Sequence, residues 1–353
     1  MSKKWTVVIL VMALTVFLAI PASGADKDQK FRYRMQFFFA KGHPATVNSQ
    51  DYFCSAVDKL SGGRLKITSH GEGELVPTFE MSNAVSKGTI EMATWTPYWD
   101  IGKDPVGGIL GLLPFGFTEH DYMVWYHEAG GKQYIQKMYD KYNIHVIGAW
   151  LSFGQIAAIS KNPINGLEDM KGKVMRITGL PAQIVTELGV KTISLPPGEL
   201  YTALERGTID LLEFSTPSVN WSFGLHEVGK YVLMPGWQEP CSLIINIINK
   251  DAWNKLPDDL KYILEIATDA EYRKYATFGT NDDAQAWKRM MDYGCKTHRF
   301  SDEDLKKIYE ARNKVLQKFA DKDPLFKEVW ASQEKFLTMM RDYRKLVDFS
   351  FKK

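Results

Sequence analysis

Arg176 and three oxygen-bearing side chains, Gln155, Glu213 and Glu239, lie in β-rich stretches of this sequence, where a polar group needs a partner. Glu213 sits inside the apolar run Leu211-Leu-Glu-Phe214. A metal ion, Arg176, or exposure on the outer face of a strand would each satisfy it. Arg176 lies in Lys173-Val-Met-Arg-Ile177, where alternation puts Val174 and Arg176 on one face. An arginine there either clamps a ligand carboxylate through two parallel N–H···O bonds or pairs with an acid of its own chain. Gln155, Glu213 and Glu239 offer oxygen alone, which suits hard cations such as Na⁺ or Ca²⁺. The seven histidines form no HExxH or tight ligand pair and read as surface or satisfied core groups, so zinc and copper are disfavoured. No GxSxG elbow, P-loop or GxGxxG occurs. Glu213 and Glu239 as a hydrolytic carboxylate pair is the enzymatic alternative. Phe37 to Phe39, Trp95, Tyr98, Trp99 and Trp237 are candidates either for a binding wall or for the core, and Asn220-Trp-Ser222 matches a glycosylation acceptor.

The elements that must position these groups are legible as a duplication. Glu80 to Glu91 reads EMSNAVSKGTIE and Glu199 to Asp210 reads ELYTALERGTID, with five of twelve positions identical. In each copy a short helix carries apolar residues at i and i+4 (Met81 and Val85; Leu200 and Leu204) and meets a glycine, Gly88 or Gly207, suited to a left-handed cap. Apolar runs of strand length follow, closed by Pro97 and Pro217, and probable strands precede, at Arg64 to Ser69 and Lys191 to Leu195. Two β-α-β units predict two α/β lobes with a cleft between them, at whose mouths the strand ends Thr94 to Tyr98 and Glu213 to Thr216 would stand.

The chain has 353 residues, 45% hydrophobic and 13% aromatic, which is enough for two packed lobes. With 44 basic and 42 acidic side chains and no long charge run, a nucleic-acid partner is not expected. Lys3 and Lys4 precede an uncharged stretch from Trp5 to Ile20, then Pro21 and small residues to Ala25, which reads as a cleaved signal peptide over residues 1–25. Cys54, Cys241 and Cys295 are widely spaced, with no CxxC pair. Ile144 to Ser160 and Tyr231 to Asn249 are too long for single strands and are expected to cross between lobes as hinge strands. The division expected is 26–153 with 241–285 as lobe I, 154–240 as lobe II, and 286–353 as C-terminal helices packing across the lobes or on a second subunit. A long helix is expected from Asp258 to about Tyr293, and another from Asp323-Pro324 with the stripe Leu325, Val329, Phe336, Met340, Tyr343 and Val347.

From Phe31 to about Lys345 the chain resembles the solute-binding proteins of tripartite ATP-independent periplasmic (TRAP) transporters. The passages that carry the resemblance are Gly71 to Leu75, Val85 to Met92, Gly172 to Arg176, Tyr201 to Glu213 and Pro235-Gly-Trp237. The resemblance implies a two-lobed α/β fold of the type II-like periplasmic binding protein kind, with a central cleft, hinge strands and a long C-terminal helical segment. It also implies a binder rather than an enzyme, one that works in the periplasm and delivers a small 2-oxo or 2-hydroxy carboxylate to a TRAP permease. By the same resemblance Arg176 would pair with the ligand carboxylate, with Gln155, Tyr98, Trp95, Phe38 and Trp237 around the ligand. Gln155, Glu213, the backbone carbonyl of Phe214 and Glu239 would hold a cation, Na⁺ or Ca²⁺. Phe214 stands where the resemblance implies a tryptophan, which keeps the backbone carbonyl but alters pocket shape, and Gln238 stands where a second aromatic would follow Trp237. A homodimer through the C-terminal helix is a further expectation.

Overall fold

The β-branched and aromatic runs pair into two separate mixed sheets in a computed structural model that describes residues 29–347. The expected signal peptide, residues 1–25, lies outside the described residues. The first sheet has the order β2-β1-β3-β10-β4, from β1 (Phe31–Gln36), β2 (Leu65–His70), β3 (Met92–Trp95), β4 (Ile144–Ser152) and β10 (Ser242–Asn249). The second has the order β11-β9-β5-β8-β6-β7, from β5 (Ala158–Ser160), β6 (Val174–Arg176), β7 (Lys191–Ile193), β8 (Leu211–Leu212), β9 (Tyr231–Met234) and β11 (Lys296–Arg299). Each sheet with its flanking helices makes one lobe. In each lobe the duplicated unit takes the same form: β2 or β7, a helix (Met81–Ser86 or Leu200–Arg206), then β3 or β8. Gly88 and Gly207 both adopt positive φ, at 71° and 73°, where a side chain would be strained.

Both long β-rich stretches cross between the lobes. β4 ends in the first sheet and its chain re-emerges as β5 in the second, while β9 leaves the second sheet and returns as β10 in the first. All eight residues of β10, SLIINIIN, are buried, because this strand is flanked on both edges and covered on both faces. The 35-residue helix Asp258–Asp292 spans about 50 Å at 1.5 Å per residue. It packs on β4 and also on the helix Pro217–Ser222 of the other lobe.

After that helix the chain forms β11, paired in parallel with β9. The expectation of helices alone beyond residue 286 is corrected here. Lys296-Thr-His-Arg299 is a polar edge strand without apolar alternation, so nothing in its pattern signals a strand. The helix Asp302–Ala320 opens on a capping box between Ser301 and Asp304. The last helix, Pro324–Val347, packs Phe326, Val329, Phe336 and Leu337 onto its own chain. It is tied to the first lobe by Gln333 Nε2 donating to the Ile109 carbonyl at 3.0 Å and by the Arg344–Asp121 ion pair at 2.7 Å. Tyr343 and Val347 of the expected stripe stay exposed.

All three cysteines are free and buried. Asn220 of the glycosylation motif is buried too, and its amide donates to the carbonyls of Ser215 and Thr216. In the folded chain it is not a sugar acceptor. Among the described residues no helix is long and apolar enough to cross a membrane.

Candidate functional site

Arg176 ends β6, in register with Leu212 of β8 and Ile193 of β7, so its side chain projects at the mouth of the second sheet. It is 2% exposed. Nε and Nη2 donate to the Leu195 carbonyl at 3.1 and 3.0 Å, and Nη1 donates to the Glu213 carbonyl at 2.8 Å. A guanidinium has five N–H groups, so these backbone bonds leave part of its outer edge free while locking the plane. The Glu213 carboxylate stands 3.5 Å from Nη1, and the Phe214 ring centroid lies 5.5 Å from the guanidinium carbon. Arg176 therefore satisfies both readings of the sequence: it pairs with an acid of its own chain and it also lines a cavity between the lobes.

The cavity gathers Gln155, Glu239, Phe214, Tyr98 and Phe38 around Arg176. Glu213 sits one layer behind, 4% exposed, which excludes the outer-face reading. Trp95 and Trp237 do not reach the cavity. Trp95 is turned away by its Nε1–H, which donates to the buried Asp100 carboxylate at 2.9 Å, and its ring backs Trp99 at 5.2 Å. Trp237 stacks on Phe115 at 5.6 Å, and its carbonyl accepts from Phe115 N–H at 2.8 Å, so it pins two loops together. Residues unmarked by the sequence complete the wall: Trp150, Ser152, Ser242 and Ile244 from β4 and β10, and Tyr275 from the long helix. Tyr275 carries no local signal, since a tyrosine amid a helical stripe reads as core.

The backbone allows close approach at two glycines. A Cβ on Gly111 would lie 2.4 Å from the Tyr98 nitrogen, so the helix Pro105–Gly111 can press against the turn that carries Tyr98. A Cβ on Gly236 would come within 1.9 Å of the Gln155 carbonyl oxygen. Gly236→Ala is expected to cost about 1–3 kcal/mol of stability by overpacking and to displace Gln155. An unchanged denaturation midpoint would contradict that expectation.

The electrostatics of the cluster are unbalanced. Glu239 is 2% exposed and Glu213 4%, against one buried guanidinium, so full ionisation leaves one negative charge unmatched. Burial pushes both carboxyls above their ordinary range. The field of Glu213 pushes Glu239 further up, while Arg176 pulls both down. Gln155 Nε2 donates to Glu239 Oε1, which orients the amide, and Gln155 Oε1 is then buried without a partner. Gln238, expected to be replaced by an aromatic, donates to the Ile156 carbonyl at 2.9 Å, and its Oε1 is likewise orphaned. Among the described residues no three His, Cys, Asp or Glu side chains cluster as metal ligands. An orphaned amide oxygen beside excess carboxylate charge fits a hard cation, which takes amide, carbonyl and carboxylate oxygens together. Tyr98 stays a neutral phenol, since burial and then the two glutamates raise its pKa.

Residues 39–323 match the family model described as bacterial extracellular solute-binding protein, family 7. A monocarboxylate 2-oxoacid-binding periplasmic protein of Nostoc is 30% identical over 323 residues, covering 91% of this chain and 88% of the relative. A TRAP periplasmic solute binding protein from Pseudoalteromonas atlantica, solved with bound sodium and pyruvate, superposes with a TM-score of 0.86 at 28% identity, covering 91% of this chain and 98% of the other. A TRAP transporter solute binding protein from Bordetella bronchiseptica, a mixed-occupancy dimer with calcium and picolinate in one site and an apo second site, gives 0.85 at 28%, covering 90% and 95%.

Proposed function

The chain belongs to bacterial extracellular solute-binding protein family 7, whose members are transport receptors and not enzymes, and from that premise we propose that its cleft takes up a 2-oxo monocarboxylate together with Na⁺ or Ca²⁺. The single observation that carries this reading is the buried cluster of Arg176, Glu239 and the orphaned Gln155 Oε1 at one wall of the cavity, with Glu213 directly behind. The free edge of Arg176 binds the ligand carboxylate. Gln155, Glu213, Glu239 and the Phe214 carbonyl are the groups that would hold the cation. A cation held there would supply the positive charge that the two glutamates lack and would attract the oxygens of a 2-oxo acid. The remaining wall is aromatic and aliphatic. Among the described residues lining the cavity Arg176 is the one positive group, which favours a monocarboxylate with an uncharged tail over a dicarboxylate.

The ligand touches both lobes and so binds the closed form better. Shifting a two-state equilibrium from 1:99 to 99:1 takes about 5.5 kcal/mol of preference. Named relatives are periplasmic, which supports export through the leader at residues 1–25 and delivery to a TRAP permease. The exposed Tyr343 and Leu346 at the end of the last helix support a homodimer contact there. Family membership favours this receptor role over the hydrolytic pairing of Glu213 and Glu239.

The test is titration of chelator-treated protein with pyruvate, with and without Ca²⁺ or Na⁺, across pH. Acid binding is expected to require the cation. Both glutamates have raised pKa values, so the folded chain holds their protons more tightly than the unfolded chain, and their ionisation costs stability as pH rises above the ordinary 4.5. Cation binding expels those protons, so Ca²⁺ affinity should rise with pH and the gain in melting temperature on adding Ca²⁺ should widen. Acid binding that is indifferent to chelator, or Ca²⁺ affinity that is flat from about pH 5 to 8, would remove the cation from the site.

A further inference from the structure

His43 follows β1 in the first lobe, and Ser222 ends the helix Pro217–Ser222 in the second, yet the imidazole Nε2 lies 2.7 Å from Ser222 Oγ. The hydrogen-bond pattern fixes the roles. His43 Nδ1 accepts from the Ala45 backbone N–H at 3.1 Å, so the ring proton is on Nε2. Ser222 donates its own proton to the Val219 carbonyl at 2.8 Å, leaving its oxygen to accept from Nε2–H. Burial holds the ring's pKa down at about 4, against the pull of nearby Asp282, so the ring is neutral near pH 7 as this pattern requires.

The contact is continuous with the cavity wall. The His43 ring packs on Phe39 at 4.8 Å and on Phe223 at 5.3 Å, and Phe39 meets Phe214 across the cleft at 6.0 Å. Phe39 and Phe214 both line the cavity. The helix bearing Ser222 is anchored to the long spine helix by Ser218 N–H donating to Asp283 at 2.9 Å. His43 thus meets a fixed abutment, and only when the lobes are together.

We propose that His43 and Ser222 form a latch that holds the lobes shut over the ligand, setting its residence time without touching it. This rests on the reading that the cleft closes on a carboxylate. A second crossing contact, Gly198 N–H to Glu72 Oε1 at 3.3 Å, carries part of the closure, so loss of the latch weakens it without abolishing it.

The experiment measures pyruvate release from the Ca²⁺-loaded protein by stopped-flow tryptophan fluorescence, for Ser222→Ala, His43→Phe and the double variant. Ser222→Ala removes the acceptor, and with it the local bond to the Val219 carbonyl, and leaves the ring's cap on Ala45 intact. It should speed release about three- to tenfold, the worth of one neutral hydrogen bond, with association little changed. In the His43→Phe background, which keeps the ring stack, Ser222→Ala should add nothing. Unchanged release from Ser222→Ala, or effects that simply add, would overturn the latch. If wild-type protein binds no pyruvate, the ligand reading fails separately. The latch is then judged by small-angle scattering of ligand-free protein, where a larger radius of gyration for Ser222→Ala supports it and an identical one overturns it.

Discussion

Arg176→Lys is expected to weaken pyruvate binding by about 100-fold in calorimetry, since two charge-assisted hydrogen bonds of about 1.5 kcal/mol each are lost and 1.4 kcal/mol is a factor of ten. Lysine keeps the positive charge opposite Glu213 but has a single ammonium, which cannot hold the Leu195 and Glu213 carbonyls and a carboxylate in one plane. Arg176→Ala is the poorer experiment. Three backbone bonds and a buried carboxylate depend on the guanidinium. Stranding them costs about 3–5 kcal/mol, a large part of a typical stability of about 5–15 kcal/mol. Wild-type affinity in Arg176→Lys would take the arginine out of ligand recognition.

Glu213→Gln separates the two partners that the carboxylate has. If it serves the cation, removing its charge should lower Ca²⁺ affinity by about tenfold or more and lower pyruvate affinity in parallel, because the ion and the acid are thermodynamically linked. If it is only the counter-charge of Arg176, the opposite follows: the guanidinium is released and pyruvate binds more tightly, with cation dependence unchanged. Stability gives an independent readout. Burial already raises the pKa of this carboxyl, so ionising it in the ligand-free protein costs stability relative to the unfolded chain. Glutamine removes that cost, and the melting temperature of ligand-free Glu213→Gln should match or exceed that of the wild type while its rise on adding Ca²⁺ shrinks. A variant that melts lower yet keeps the full Ca²⁺ response would refute the cation role.

Local patterning carried much of the fold. The two β-α-β units, the crossing strands, the capping box at Ser301 and the helix from Asp258 each rest on spacing within one element, where apolar periodicity and cap residues act over a few positions. β11 and β7 are exposed edge strands whose residues bury little, so neither has much apolar signal, and β7 was legible only through its place before a duplicated helix. The site divides in the same way. Arg176, Gln155 and Glu239 were visible because a polar group in a β-rich run needs a partner. Trp95 and Trp237 looked equivalent to Trp99, and the difference lies in what each ring meets: Asp100 draws Trp95 away and Phe115 holds Trp237.

Residue types and spacing establish which groups are available: Arg176, a few oxygen donors, no sulfur or imidazole cluster, and two similar units to carry them. Which of those groups converge, and how many of their bonds are already spent, follows from the packing of the two lobes. Residue type and periodicity act over a turn or a strand, whereas His43 and Ser222 meet across 179 positions of chain. Such a meeting depends on how two lobes pack, and no local pattern encodes it.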